Sequence, residues 1–140
     1  MLARSIEELY KKFRLTNYQA LFNRIREKDG SLSATEAYAV DVIYLLGNPT
    51  ITQLADALGI SQPNATYKVN NLVSKGYVVK SVSEDDRREC RLVLGPKFYQ
   101  YFTDSNRFID DAVAELEKTF SREELDTFEK MLRALTREVR

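Results

Sequence analysis

Thr52-Gln53-Leu54-Ala55-Asp56-Ala57-Leu58-Gly59-Ile60-Ser61-Gln62-Pro63-Asn64-Ala65-Thr66-Tyr67 decides the fold of this chain, with its continuation through Gly76-Tyr77-Val78 to Asp85-Asp86-Arg87-Arg88. A short amphipathic helix over residues 52–58 stops at Gly59, and Ser61 caps a second helix over 61–75. Gly76 suits the left-handed position behind it. Residues 77–82 and 89–94, rich in β-branched and large side chains, flank an acidic-then-basic turn and predict an antiparallel pair. Helix, tight turn, helix and basic wing in that order predict a winged helix-turn-helix, which offers one element to each groove of DNA.

Upstream, Ile6, Leu9 and Phe13, then Leu21, Phe22 and Ile25, recur at three- and four-residue spacings and predict one apolar stripe over residues 1–28. Thr16-Asn17 is expected to bend or break it. Ser33-Ala34-Thr35-Glu36 is a capping-box pattern that starts a helix to about Leu46, which Gly47-Asn48-Pro49 stops. Downstream, Pro96 suits the first turn of a helix. Phe98, Phe102, Ile109, Val113, Leu116 and Phe120 predict one long helix over 97–119. Ser121-Arg122-Glu123-Glu124 is another capping box, and Leu125, Phe128, Leu132, Leu135 and Val139 follow in a heptad-like seam.

The expected fold is therefore mainly α with a small β-wing: a winged helix-turn-helix plus N- and C-terminal dimerisation helices. One domain spans 1–140, with the winged unit at 31–95 and the helical dimerisation region at 1–30 and 96–140. A second copy would bury the terminal stripes and set two recognition helices on successive turns of a duplex.

The 140 residues suffice for one domain with a real core. The first thirty are charged throughout and do not read as a leader, and no run approaches the ~18 apolar residues of a membrane span. The expected setting is the cytoplasm, with no membrane partner. Cys90 is the lone cysteine and histidine is absent. That excludes an intrachain disulfide and His-based acid–base chemistry, and leaves a poor donor set for zinc, copper or iron. A glycine-rich phosphate loop and a nucleophile motif are also missing, so the chain reads as a non-enzyme that needs no metal or cofactor. Asp110-Asp111 occupy adjacent helical positions facing different ways. Cys90 shares parity with Leu92 and Leu94 on the returning strand and reads as packing rather than redox sensing.

Net charge is zero, but its distribution is uneven. Residues 1–30 carry seven Lys/Arg against four Asp/Glu, residues 104–140 seven against ten, and residues 61–80 three lysines and no acid. Such bias permits DNA binding without identifying it.

Over about residues 32–94 the sequence resembles the multiple antibiotic resistance regulator (MarR) family of bacterial transcription factors. The residues that carry the likeness are Leu54-Ala55, Leu58-Gly59-Ile60-Ser61-Gln62-Pro63, Leu72, Lys75-Gly76-Tyr77-Val78 and the wing Glu84-Asp85-Asp86-Arg87-Arg88. The resemblance implies a homodimer that binds pseudo-palindromic operators in double-stranded DNA, usually a repressor released by a ligand or by oxidation. Tyr67 and Asn71 stand where many members have arginine, and Lys68 where an aliphatic is frequent. Leu94-Gly95-Pro96-Lys97-Phe98 replaces the usual Leu-Thr-x-x-Gly. The first three departures fall on the reading helix and bear on which operator is read.

On that helix Ala65, Val69 and Leu72 share one face by their four- and three-residue spacing and should be core, opposite Leu54, Leu58 and Ile60. Ser61, Gln62, Pro63, Asn64, Thr66, Tyr67, Lys68, Asn70 and Asn71 are the candidate DNA-binding residues. Asn and Gln pair with adenine edges, and Thr contacts a thymine methyl. Ser61 caps the end aimed at DNA, where free N–H groups suit a phosphate. The resemblance makes Asp86-x-Arg88 the family's D-x-R feature, with Arg88 reaching a narrow minor groove, Asp86 orienting it and Arg87 on phosphate. Phe13, Tyr18, Phe22, Tyr38, Tyr44 and Phe102 are candidates for a pocket that takes a small apolar or aromatic ligand. The competing expectation is a winged-helix protein–protein adaptor without DNA binding.

Overall fold

Capping fixes where the helices begin. Ser33, Thr50, Ser61 and Ser121 each hold an extended backbone, and each side-chain oxygen accepts the amide of the residue three positions on, at 3.1–3.2 Å. At Ser33, Thr50 and Ser121 the third residue (Glu36, Gln53, Glu124) bonds back to the cap amide, closing a capping box. The Ser33 and Ser121 boxes are the two expected from sequence; the Thr50 box is an addition.

The chain, seen in a computed structural model that describes residues 1–26, 32–82 and 90–140 (side chains of 24, 26 and 101–105 apart), runs as follows. The elements are α1 (Leu2–Arg26), α2 (Ala34–Leu46), α3 (Ile51–Leu58), α4 (Gln62–Ser74), β1 (Val78–Val82), β2 (Cys90–Leu94), α5 (Pro96–Ser105), α6 (Arg107–Thr119) and α7 (Arg122–Glu138). Two expectations are corrected. Thr16-Asn17 does not interrupt α1, because the Thr16 hydroxyl donates to the Lys12 carbonyl at 3.0 Å and stays within the helix. The single helix expected over 97–119 is two, α5 and α6, divided at Asn106. That residue sits at φ −96°, ψ −1°, and its carbonyl takes the Ile109 amide in a tighter three-residue step.

The chain divides into two compact units, 1–105 and 106–140. In the first, α2, α3 and α4 enclose the core with the sheet and α5. Val40, Ile43, Leu54, Val69, Leu72 and Leu92 are all fully buried in it. Helix α5 belongs here rather than with the C-terminal helices, because Phe98 is buried in the same core and its ring meets Tyr44 at 5.5 Å. β1 and β2 pair antiparallel with Val78 opposite Leu94 and Val82 opposite Cys90. A bridge between Thr50 and Arg91, with the Leu92 amide on the Pro49 carbonyl at 2.8 Å, ties the sheet to the start of α3.

Gly47, Gly59 and Gly76 take positive φ at helix ends, as their positions require. Gly95 is constrained differently. Its amide donates to the Tyr77 carbonyl at 2.7 Å, and a Cβ there would overlap the Gly76 carbonyl oxygen and press on the backbone of Tyr77. Backbone cannot step aside as a flexible side chain does. Gly95→Ala is therefore expected to lower stability by about 1–3 kcal/mol, read from urea or thermal melts. A variant within about 0.5 kcal/mol of wild type would show that this crossing is loose.

The second unit is a helical hairpin. Neither α6 nor α7 has a buried residue. Leu116, Phe120, Leu125, Phe128 and Leu132 line an open groove of about 650 Å³ between them. Phe128 is 47% exposed, Leu132 40% and Met131 63%. α1 likewise leaves Leu9, Phe13, Tyr18 and Phe22 exposed. Among the described residues, no helix is long and apolar enough to cross a membrane.

Candidate nucleic-acid interface

Helix α4 is aimed by its two ends and its inner face. At the start, Gly59 turns left-handed (φ 67°, ψ 35°) and the Ile60 amide bonds back to the Ala55 carbonyl at 3.1 Å, which reverses the chain between α3 and α4. Ser61 then caps α4, with Pro63 in its first turn. Ala65, Val69 and Leu72 are wholly buried, as their spacing predicts. Gln62, Pro63, Asn64 and Asn70 lie exposed on the outside, and Tyr67 is 67% exposed. Thr66 is half-buried and its hydroxyl returns to the Gln62 carbonyl at 3.0 Å. Asn71 is also half-buried, its carbonyl taken by the Ser74 hydroxyl at 2.8 Å and the Lys75 amide at 3.1 Å.

Lys68 and Lys75 both turn toward α2. Lys68 is half-buried, and its ammonium lies 3.4 Å from the Thr35 hydroxyl at the start of α2. Lys75 reaches the same place, donating to Glu36 Oε1 at 3.0 Å. Residues 65, 68, 72 and 75 follow one another by threes and fours, so both lysines flank the buried stripe and run to α2 rather than outward. The sequence reading set Lys68 among the outward polar residues; where so long a side chain ends is decided by the tertiary contact within its reach.

Glu36 is the centre of this joint. It is only 8% exposed, its Oε1 accepts both the Ser33 amide (3.1 Å) and Lys75, and its Oε2 is buried without a hydrogen-bond partner among the described residues. Burial opposes the charge, but the Ser33 amide, the Lys75 ammonium and the Ser33 hydroxyl outweigh it and hold the carboxyl below its ordinary pKa. A depressed folded-state value means a contribution that is present above about pH 4.3 and lost as pH falls through the folded value. Glu36→Gln is expected to cost about 1 kcal/mol at neutral pH and to flatten the acid side of the stability profile. Urea midpoints across the acid range check this, and an unchanged acid limb would remove Glu36 from the joint.

On β1, Lys80 donates to the Asn70 side-chain oxygen at 2.7 Å. It shares strand parity with buried Val78, whose face packs on α4, so past the edge of the core it runs along that helix. Parity was available in the sequence, yet Lys80 was not singled out. At the wing's base the Arg91 guanidinium lies 3.4 Å from the Asn48 carbonyl and 3.5 Å from Gln53 Oε1. Cys90 is half-buried opposite Val82.

Asp86, Arg87 and Arg88 lie outside the described residues, as does the side chain of Phe102. Phe13, Tyr18, Phe22, Tyr38 and Tyr44 are all exposed, the first three along α1 and the last two on α2. Among the described residues no group of three or more His, Cys, Asp or Glu could hold a metal ion.

A family model described as the MarR family matches residues 31–89. Similar solved structures include Streptococcus pneumoniae FabT in complex with DNA, 27% identical, covering 99% of this chain and 97% of that one at TM-score 0.56. A MepR mutant from a multidrug-resistant S. aureus clinical isolate is 15% identical, covering 100% of this chain and 98% of that one at TM-score 0.64. An E. coli MarR mutant complexed with operator DNA is 20% identical, covering 94% and 93% at TM-score 0.52. The last two likenesses, at such identity, show the fold.

Proposed function

We propose that this chain is a DNA-binding winged-helix transcription regulator that works as a homodimer on a pseudo-palindromic operator, a reading supported by the match of residues 31–89 to the MarR family. The observation that carries the proposal is α4: capped by Ser61, fixed by a fully buried inner stripe, and outwardly presenting Gln62, Asn64, Tyr67 and Asn70. The amide side chains of Gln62 and Asn64 can supply both donor and acceptor to base edges in the major groove. Ser61, Pro63, Thr66, Lys68 and Asn71 complete the helix's proposed contact set, and Arg87 and Arg88, oriented by Asp86, supply the wing's.

Dimerisation rests on the exposed stripes of α1 and of the α6–α7 hairpin. Two amphipathic helices that bury nothing between them need a partner, and a second copy supplies the same apolar face by symmetry. The regulator acts in the cytoplasm as a repressor released by a small apolar or aromatic ligand held among Phe13, Tyr18, Phe22, Tyr38, Tyr44 and Phe102. It has no enzymatic activity.

Selection of bound sequences from a pool of randomised duplexes, followed by anisotropy titration at two salt concentrations, tests the central proposal. The expected result is one two-fold symmetric site whose affinity falls with salt. A pool that emerges unenriched would overturn DNA reading and favour a protein–protein adaptor.

A further inference from the structure

We propose that Lys80 makes Asn70 a donor-only reader, so that the operator base facing Asn70 is guanine, or secondarily thymine, and adenine is rejected. The inference rests on α4 entering the major groove and goes beyond it by assigning a preference at one position. Asn70 follows Pro63 by seven residues, Thr66 by four and Tyr67 by three, which sets it on the same outer face. Both Asn70 and Lys80 are exposed, and the ammonium lies 2.7 Å from Oδ1.

An ammonium carries donors and no acceptor, so the atom of Asn70 that faces it is the oxygen. The amide nitrogen, with its two N–H groups, then points to the other side of the side chain. The usual asparagine pairing with adenine requires the oxygen to accept from the N6 amino group while the nitrogen donates to N7. Here an adenine amino group approaching Oδ1 meets a second donor and a full positive charge. Guanine presents N7 and O6, both acceptors, and thymine presents O4. Either edge suits the amide N–H groups, which have no partner among the described residues, and the neighbouring ammonium attracts the guanine oxygen as well. Lys80 is thus a specificity-determining residue that acts through Asn70 while sitting on a different element.

The test is selection from a fully randomised duplex pool with the full chain as wild type, Lys80→Met, Lys80→Arg and Asn70→Ala. Both sites are exposed, and methionine keeps most of the lysine stem, so the fold is preserved. The wild type is expected to take guanine or thymine at the half-site position that Asn70→Ala relaxes. Lys80→Met frees Oδ1 and is expected to turn that position to adenine, a change in preference of roughly tenfold. Lys80→Arg retains a donor and keeps the wild-type base. The inference is overturned if Lys80→Met selects the wild-type base, if wild type already takes adenine there, or if Asn70→Ala relaxes no position while an operator is still enriched. A wild type that enriches nothing overturns the DNA-binding reading itself, a distinct result.

Discussion

Phe128→Asp is expected to turn the proposed dimer into monomers and to lower operator affinity by more than about a hundredfold. Phe128 projects into the α6–α7 groove beside Leu116, Phe120 and Leu125, and nearly half of it remains open to water in the single chain. A second copy laid on this groove would bury the ring. A carboxylate in the same place would have to be stripped of water without a partner, which costs several kcal/mol per ion and occurs twice in a symmetric interface. The loss of DNA affinity follows from geometry alone. Two half-sites bound by one dimer share a high effective concentration, whereas two monomers bind each half-site separately. Sedimentation equilibrium beside anisotropy titration reads both consequences. A variant that still sediments as a dimer with wild-type affinity would place the interface elsewhere.

Arg88→Ala is expected to weaken the operator complex by about ten- to a hundredfold and to reduce the salt dependence by about one ion per protomer. The reason lies on α4, since Arg88 itself is outside the described residues. Lys68 and Lys75 are both directed to the start of α2, and Lys80 is directed to Asn70. Only Lys75 of these three is paired with a carboxylate, while Lys68 and Lys80 keep their charge beside neutral partners, so the two wing arginines would add to a modest attraction for phosphate and would alone reach the narrow groove. Arg87→Ala should weaken all sequences alike, while Arg88→Ala should also relax the flanking bases. An Arg88→Ala protein with wild-type affinity and salt slope would mean that the wing does not touch DNA.

The parts of the fold legible in the sequence are those with local causes. Ser33 with Glu36, Ser61 ahead of Pro63, and Ser121 with Glu124 announce helix starts because the cap and its donor are three residues apart. Ala65, Val69 and Leu72 announce a buried face because periodicity and burial are the same fact seen twice. The break at Asn106 was hidden: the apolar spacing continues through it, and it makes no side-chain cap bond. The destinations of Lys68, Lys75 and Lys80 were hidden for another reason. A lysine ammonium is carried on four methylene groups, and its partner is chosen by whatever tertiary contact comes within reach. Thus helix α4 and its buried face were found from sequence, but where the neighbouring lysines end was not. The candidate aromatic residues gave the least, since an aromatic in a ligand pocket and one in a core carry the same spacing.

The pairing of Lys75 with Glu36 on α2 would have a kinetic consequence for the proposed regulator. An ammonium already paired with a carboxylate, as Lys75 is with Glu36, holds a random duplex less well, and non-specific binding is almost wholly a matter of charge. The proposed regulator would therefore linger more briefly on wrong sequence and slide over shorter stretches before dissociating. Its time on DNA would then be set by the exit rate from a correctly read site, which base-edge contacts govern, rather than by general stickiness to nucleic acid.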